Sequence, residues 1–142
     1  MSCLTEALRY AERGWHVIPL HSPDGEGCSC GKPDCSSIGK HPHTKDGVKS
    51  ATTDAATINE WWKRWPKANV GIRTGECSGL AVLDVDGDDG KTSLLALHAV
   101  HGAIPATLRA WTGRASSDGG GKGAITFSRC RRGSSSRIAR VR

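Results

Sequence analysis

The sequence predicts an α+β domain, in which short helices and strands alternate irregularly over roughly the first 113 residues. Apolar residues recur at helical spacing near the N-terminus and again around residue 60, and an apolar run typical of a strand follows each of these segments. A chain of 142 residues can bury one hydrophobic core but cannot hold two ordinary domains side by side. We therefore expect one core built from both kinds of element.

The first helix is indicated by four apolar residues at helical spacing, Leu4, Ala7, Leu8 and Ala11. Gly14 ends this helix, and residues 15–20 then read as a strand. A second helix begins at Thr53 or Asp54, since either is a good N-cap, and it ends before Pro66. Its predicted core face carries Ile58, Trp61, Trp62 and Trp65.

Two further strands are predicted at residues 69–75 and 78–86, and we expect them to lie side by side. The second of them is continuously apolar and ends in acidic residues. A third helix over residues 92–100 has Gly102 as its stop and leads to a strand at residues 108–112. The order of elements is mixed, as α+β requires.

Beyond Gly113 the composition changes to Ser, Gly and Arg, with little apolar patterning apart from residues 125–127. Residues 114–142 are therefore predicted to be a low-complexity, disordered tail. The last 14 residues contain six arginines and no acid, and without them the chain has equal numbers of basic and acidic residues. The net charge of +6 thus belongs to the tail and is no evidence for a basic groove in the folded part.

Residues 21–50 form an insert rich in Gly, Pro, Ser, Asp, Lys and Cys, which cannot build a hydrophobic core unaided. Within it stand three thiols and an imidazole at metal-ligand spacing, Cys28, Cys30, Cys35 and His41. These side chains suit tetrahedral Zn²⁺, whose binding would supply the folding energy that apolar burial does not. We predict a structural zinc site, with His43 and His21 as alternative fourth ligands. A reduced, flexible loop is the competing interpretation.

The other cysteines, Cys3, Cys77 and Cys130, have no partners at metal spacing and are expected to be packed or incidental thiols. The clustering of three thiols, without an export signal, favours a metal over disulfides. No apolar run reaches the roughly 20 residues that a membrane-spanning helix needs. These features predict a soluble, cytoplasmic protein without a membrane partner.

Asp84 and Asp86 stand two residues apart at the end of the apolar strand, so both carboxylates point to the same face. Paired carboxylates together with substrate phosphates are a typical site for Mg²⁺ or Mn²⁺, and phosphoryl or nucleotidyl transfer would follow. The spacing alone also fits an ordinary acidic turn, or the metal site of a nucleotide-sugar glycosyltransferase. Asp88 and Asp89 are expected to lie in a solvated turn rather than to join the pair.

Two basic residues are candidates for binding a nucleotide or a phosphate, Arg73 and Lys40. Arg73 lies on the strand predicted beside the carboxylate strand, from which its guanidinium could pair with phosphate bidentately. Lys40 lies in the insert with two further lysines, where a solvated loop is the alternative reading. The histidines outside the insert are expected to be ordinary strand or helix-surface side chains: His16, His98 and His101.

Six stretches together resemble the N-terminal domain of bifunctional DNA primase/polymerases, of the archaeo-eukaryotic primase superfamily. They occur in order and at natural spacing, at residues 7–15, 28–42, 47–54, 61–62, 69–75 and 78–86. The resemblance implies an α+β catalytic fold and template-directed nucleotidyl transfer from nucleoside triphosphates, in phages, plasmids or other mobile elements. It also matches Asp84 and Asp86 to the family's first metal-binding motif. A replicative helicase is a further partner that the sequence leaves open.

The family pattern continues with a Gly-Gly-x-His-x-x-Phe-like motif and a third acidic metal ligand, and this chain departs from both. Residues 119–128 contain glycines and Phe127 but no histidine. We therefore expect residues 1–113 to be an incomplete catalytic domain, truncated or frameshifted after about residue 113. The alternative is a catalytically inactive, zinc-stabilised remnant that binds nucleic acid or nucleotides.

Overall fold

A computed structural model describes residues 2–85, 87–111, 124–129 and 138–140. These residues form two compact units, one of residues 2–79 with 138–140 and one of the remaining described residues from Leu80 to Arg129. The mixed helices and strands confirm the α+β prediction. None of the described helices has the length and apolar character to cross a membrane.

The helices are α1 (Cys3–Glu12), α2 (Ala55–Arg64) and α3 (Gly87–His101). The strands are β1 (Val17–Leu20), β2 (Pro23–Asp24), β3 (Gly27–Cys28), β4 (Asn69–Arg73), β5 (Leu80–Val85), β6 (Arg109–Trp111), β7 (Ala124–Arg129) and β8 (Ile138–Arg140).

The first unit is built on an antiparallel sheet in the order β1-β4-β8, against which α1 and α2 pack. All four residues of β1 are buried, as are the three central residues of β4, which explains why both strands read as apolar runs. Gly71 of β4 lies opposite Ile18, and a side chain there would come within 3.0 Å of Ile18 and Leu20. The sheet therefore requires glycine at this position.

Helix α2 begins where the sequence predicts, with Asp54 as its N-cap. The Asp54 carboxylate accepts a hydrogen bond from the Thr57 backbone N–H at 2.7 Å. Ile58 and Trp62 are buried, and the Trp62 indole N–H donates to the Ala68 carbonyl at 3.2 Å. Trp65, predicted to share the core face, instead caps the helix and is only half-buried, because the backbone leaves helical geometry there before Pro66.

The insert is attached to the sheet by backbone hydrogen bonds along β1. The His21 N–H donates to the His41 carbonyl at 2.9 Å, and the His43 N–H donates to the Pro19 carbonyl at 3.0 Å. From β4, the Asn69 side-chain amide donates to the carbonyls of His21 at 3.2 Å and Gly39 at 3.3 Å. The insert contains the hairpin β2-β3 and a 3-10 helix, Gly47–Ser50. Its shape thus depends on the neighbouring sheet as well as on its own sequence.

The second unit contains the antiparallel sheet β5-β7-β6 and helix α3. This helix begins at Gly87, five residues before the predicted start at residue 92. The segment read as an acidic turn is its first turn, where Asp88 and Asp89 face the positive end of the helix dipole. The Lys91 Nζ forms a salt bridge with the Asp88 Oδ1 at 2.8 Å. The predicted solvated turn is therefore wrong, although both aspartates are exposed as expected.

The expectation that residues 69–75 and 78–86 form neighbouring strands is wrong. Strand β4 pairs with β1 and β8, whereas β5 pairs with β7 in a different sheet. Between them the chain turns through a 3-10 helix, Glu76–Ser78, flanked by Gly75 and Gly79 with positive φ. This turn joins β4 to β5 in place of the expected side-by-side pairing.

The region predicted as a tail contains two described strands, β7 and β8. Strand β7 includes residues 125–127, where the sequence shows its last apolar patterning. The rest of that region lies outside the described residues, so its predicted disorder stays a prediction.

Candidate functional site

Three cysteines and a histidine of the insert converge on one point of the first unit. The potential ligand atoms of Cys28, Cys30, Cys35 and His41 all lie within 4.8 Å of one another. Tetrahedral zinc with Zn–S distances of about 2.3 Å holds its sulfur ligands roughly 3.8 Å apart, so small adjustments suffice to close this cluster around an ion. The donor set and spacing fit a metal such as zinc.

The chain path around the cluster explains the convergence. Cys28 ends the short hairpin and is buried, while Cys30 and Cys35 lie in the turns that follow. Gly39 is buried at φ +68°, where a side chain would come within 3.0 Å of Pro23 and 3.2 Å of Asn69. The chain can therefore return to His41, whose Nδ1 lies 3.9 Å from the Cys35 sulfur and 3.0 Å from the Ser37 carbonyl oxygen.

The thiols of the cluster differ in acidity. Burial disfavours the Cys28 thiolate, but hydrogen bonds from the Gly39 and Cys30 backbone and from the neighbouring thiols outweigh it and lower the pKa of Cys28 to about 7. At Cys35 the Ser37 backbone N–H favours the thiolate, yet burial and the nearby sulfurs of Cys28 and Cys30 raise its pKa. Cys28 is thus ready to bind a cation near neutral pH, whereas metal binding must displace the Cys35 proton.

The two alternative fourth ligands, His21 and His43, lie beside the cluster rather than in it. The rings of His41, His21, His43 and Trp65 follow one another, and we call these four residues the ring stack. Successive ring centroids are 4.4, 3.6 and 4.6 Å apart, and His43 is nearly parallel to Trp65 at 14°. The His21 Nδ1 is also 2.8 Å from the Ser29 hydroxyl, which gives that nitrogen a partner away from the cluster.

The ring stack holds its inner histidines neutral near physiological pH. Burial, followed by the charges of His21 and His41, lowers the pKa of His43 to about 4. Burial, followed by the charge of His41, also lowers the pKa of His21. No sequence pattern indicated the stack, because its members are separated by up to 44 residues in the chain.

Asp84 lies on β5 with its side chain exposed, and its strand partner is Ile125 of β7. Asp86 lies outside the described residues, so the predicted pairing of the two carboxylates stays a prediction. Lys40 is exposed beside His41. Of the isolated thiols, Cys3 and Cys77 are free and lie apart from the cluster, and Cys130 is outside the described residues.

Arg73 lies at the end of β4, opposite His16. The Arg73 backbone N–H donates to the His16 carbonyl at 2.8 Å, which extends the β1–β4 pairing by one residue and sets both side chains on one face. The Arg73 Nε and the His16 Nδ1 are both buried, and neither has a hydrogen-bond partner among the described residues. A buried polar atom without a partner costs about 1–3 kcal/mol, so this pair is suited to receive a ligand. The expectation that His16 is an ordinary strand side chain stays a prediction.

Comparison with protein families identifies the chain. Residues 7–121 match the family described as bifunctional DNA primase/polymerase, N-terminal. The chain belongs to this family. As a prim-pol domain it is of the primase/polymerase type, and the matched region spans the Cys/His cluster, Arg73 and β5. No curated protein and no solved structure matches this chain significantly.

The prim-pol chain thus carries two chemically different sets of candidate ligands. The Cys/His cluster offers soft and borderline donors, which suit a closed structural site. Asp84 offers a hard oxygen donor on an exposed strand, which suits a cation that keeps water and substrate ligands. The Cys/His cluster thus suits a structural ion, and Asp84 suits a cation with open coordination positions.

Proposed function

We propose that this prim-pol domain is a template-directed nucleotidyltransferase, which extends nucleic acid on a DNA template from nucleoside triphosphates. The observation that carries the proposal is the family match over residues 7–121, which includes the strand leading to Asp84 and Asp86. We place the activity in the cytoplasm, in the replication of a phage, plasmid or other mobile element. Cooperation with a replicative helicase belongs to the same proposal.

Asp84 and Asp86 are the proposed ligands of the catalytic Mg²⁺ or Mn²⁺. A bound divalent cation neutralises the triphosphate and lowers the pKa of the attacking 3′-hydroxyl. The role of the two carboxylates is to hold that cation at the end of β5. The exposure of the Asp84 side chain supports this role, because substrate must reach it from solvent.

Arg73 and Lys40 are the proposed phosphate-binding residues. The guanidinium of Arg73 has a buried Nε–H without a partner among the described residues, and a phosphate oxygen could accept a hydrogen bond from it. His16 faces the same side of the sheet and could add a second contact. Lys40 is exposed in the insert and would act as a simple point charge.

Zn²⁺ at Cys28, Cys30, Cys35 and His41 is the proposed structural ion of the insert. The convergence of the four ligand atoms within 4.8 Å supports this assignment. Cys28 and Cys35 would bind as thiolates, and Asn69 would keep the loaded insert on β4 through its two hydrogen bonds.

The chain as written is further proposed to be an incomplete catalyst. No histidine follows His101, so the histidine motif expected after residues 108–112 is missing. This absence supports a second candidate function, that of a zinc-stabilised module that binds nucleic acid or nucleotides without incorporating them.

Primer extension with Mn²⁺ separates the two functions. The comparison includes the chain as written, a variant with the downstream reading frame restored, and Asp84→Ala and Asp89→Ala in both backgrounds. We expect incorporation only with the restored frame, and its loss in Asp84→Ala but not in Asp89→Ala, since Asp89 is an exposed residue of α3. Incorporation by the chain as written would overturn its proposed incompleteness, and equal loss in both aspartate variants would overturn the role of Asp84.

A further inference from the structure

A cleft of about 350 Å³ lies in the first unit, between the start of the insert and the C-terminal end of α2. Its walls come from the insert hairpin, from His43 and from residues 64–68. The volume lies within the range of about 300–1,000 Å³ typical of small-molecule sites. Apart from His43, an alternative fourth zinc ligand in the sequence analysis, none of the candidate catalytic, phosphate-binding and metal-binding residues discussed above lines this cleft.

The floor of the cleft is aromatic and firmly supported. Trp65 and His43 both line it, with their rings nearly parallel and their centroids 4.6 Å apart. The His43 ring centroid lies 3.6 Å from that of His21, and the His43 backbone N–H donates a hydrogen bond to the Pro19 carbonyl of β1. A platform fixed in this way loses little conformational freedom when another flat ring stacks on it.

The rim of the cleft is cationic. Arg64 and Lys67 line it, both side chains are exposed, and neither forms an ion pair within the described part of the chain. The Arg64 guanidinium lies over the Trp65 ring, with its central carbon 5.0 Å from the ring centroid. This planar group therefore already covers part of the aromatic surface. Asp24 is the acidic residue among those lining the cleft, so the basic residues outnumber it by two to one.

We propose that this cleft binds an unpaired base of a single-stranded polynucleotide, which stacks on Trp65 while Arg64 and Lys67 contact the adjoining phosphates. An aromatic platform next to exposed cations is the combination that binds single strands, because every base has a stacking face and every nucleotide carries a phosphate. A base entering the cleft takes the place of the exposed Arg64 guanidinium, which then turns to a phosphate. This inference rests on the proposed function and gives it a single-strand contact outside the carboxylate strand.

The cationic rim is tested by fluorescence anisotropy with a labelled 16-nucleotide oligothymidylate at two salt concentrations. Arg64→Gln and Lys67→Gln are each compared with Lys63→Gln, which removes one positive charge from the last turn of α2 but does not line the cleft. We expect the two cleft variants to weaken binding several-fold and to reduce its salt dependence, because each removes about one phosphate contact. Lys63→Gln should bind like the unaltered protein. Equal weakening in all three variants, or in none, would overturn the proposal.

The stacked base is tested by comparing the oligothymidylate with an abasic strand of the same length. The unaltered protein should prefer the strand with bases by about tenfold, and Trp65→Leu should lose that preference. Circular dichroism verifies that Trp65→Leu is folded, and the rim variants provide the test if it is not. Binding without any base preference would overturn the cleft assignment alone. Failure to bind either strand would overturn the proposed polynucleotide binding itself, and the cleft assignment with it.

Discussion

The insert and strand β5, which carries Asp84, both contain candidate ligands, but they differ in how their apolar content relates to their structure. In the insert, four ligands converge although residues 21–50 have almost no apolar side chains, because the spacing is short and the loop is bonded to β1 and β4. Strand β5 is markedly apolar, yet most of its side chains are exposed or half-exposed. Leu80 and Val85 are the buried side chains described in its unit. Apolar character in sequence is therefore a poor guide to burial here, whereas ligand spacing is a good guide to which side chains converge.

This contrast predicts that removing the metal affects the insert most. Chelation, or Cys28→Ser, should abolish the ordered insert, because the proposed zinc would replace the missing hydrophobic core. Hydrogen exchange should then increase in residues 21–50 and remain unchanged in β5. Cys3→Ser, an exposed cysteine outside the cluster, provides the control. Unchanged far-UV circular dichroism and unchanged exchange after chelation would contradict a structural zinc.

Asp84→Asn should give the reverse result, with loss of cation binding and little change in stability. Loss of a carboxylate ligand should weaken Mn²⁺ binding at least tenfold. The unfolding midpoint should stay the same, because the exposed Asp84 side chain has no packing role. Electron paramagnetic resonance of Mn²⁺ measures the affinity. Asp89→Asn is the matched control, and equal weakening in it would indicate a diffuse acidic surface instead of a site.

Asn69→Ala tests whether the insert depends on its attachment to the sheet. The substitution removes the hydrogen bonds to the carbonyls of His21 and Gly39, and we expect a loss of about 2 kcal/mol in the free energy of unfolding. Asn59→Ala removes an exposed bond to the Ala55 carbonyl and should cost less. Urea denaturation measures both variants. Equal losses would mean that the insert is ordered without its attachment to β4.

The smallest expected effect is the pH dependence from the N-cap of α2. Hydrogen bonds from Thr57 hold the pKa of Asp54 below its usual value of 3.8. The carboxylate therefore stabilises the fold above pH 3.8, and this contribution is lost as the pH falls through the lowered value. Unfolding midpoints between pH 6 and pH 3 should fall less in Asp54→Asn than in the unaltered protein. Parallel curves would contradict the effect.

Much of the site was predictable because its determinants are local. The Cys/His spacing identified the cluster, but it left three histidines open as the fourth ligand. The structure brings His41 to the sulfurs because Gly39 turns the chain there, while His21 and His43 are held in the ring stack. The separation of β4 from β5 could not be predicted, since residues 74–79 resemble a simple hairpin connection in sequence.

By itself, the sequence determined the α+β class, helices α1 and α2, the family and the cluster of candidate metal ligands. These features depend on periodicity and spacing over a few residues, which the chain specifies directly. Only the tertiary structure decided the sheet to which each strand belongs, the His16–Arg73 pair and the ring stack that ends at Trp65. Such contacts join residues far apart in the chain, and their geometry follows from strand register and packing rather than from any local pattern.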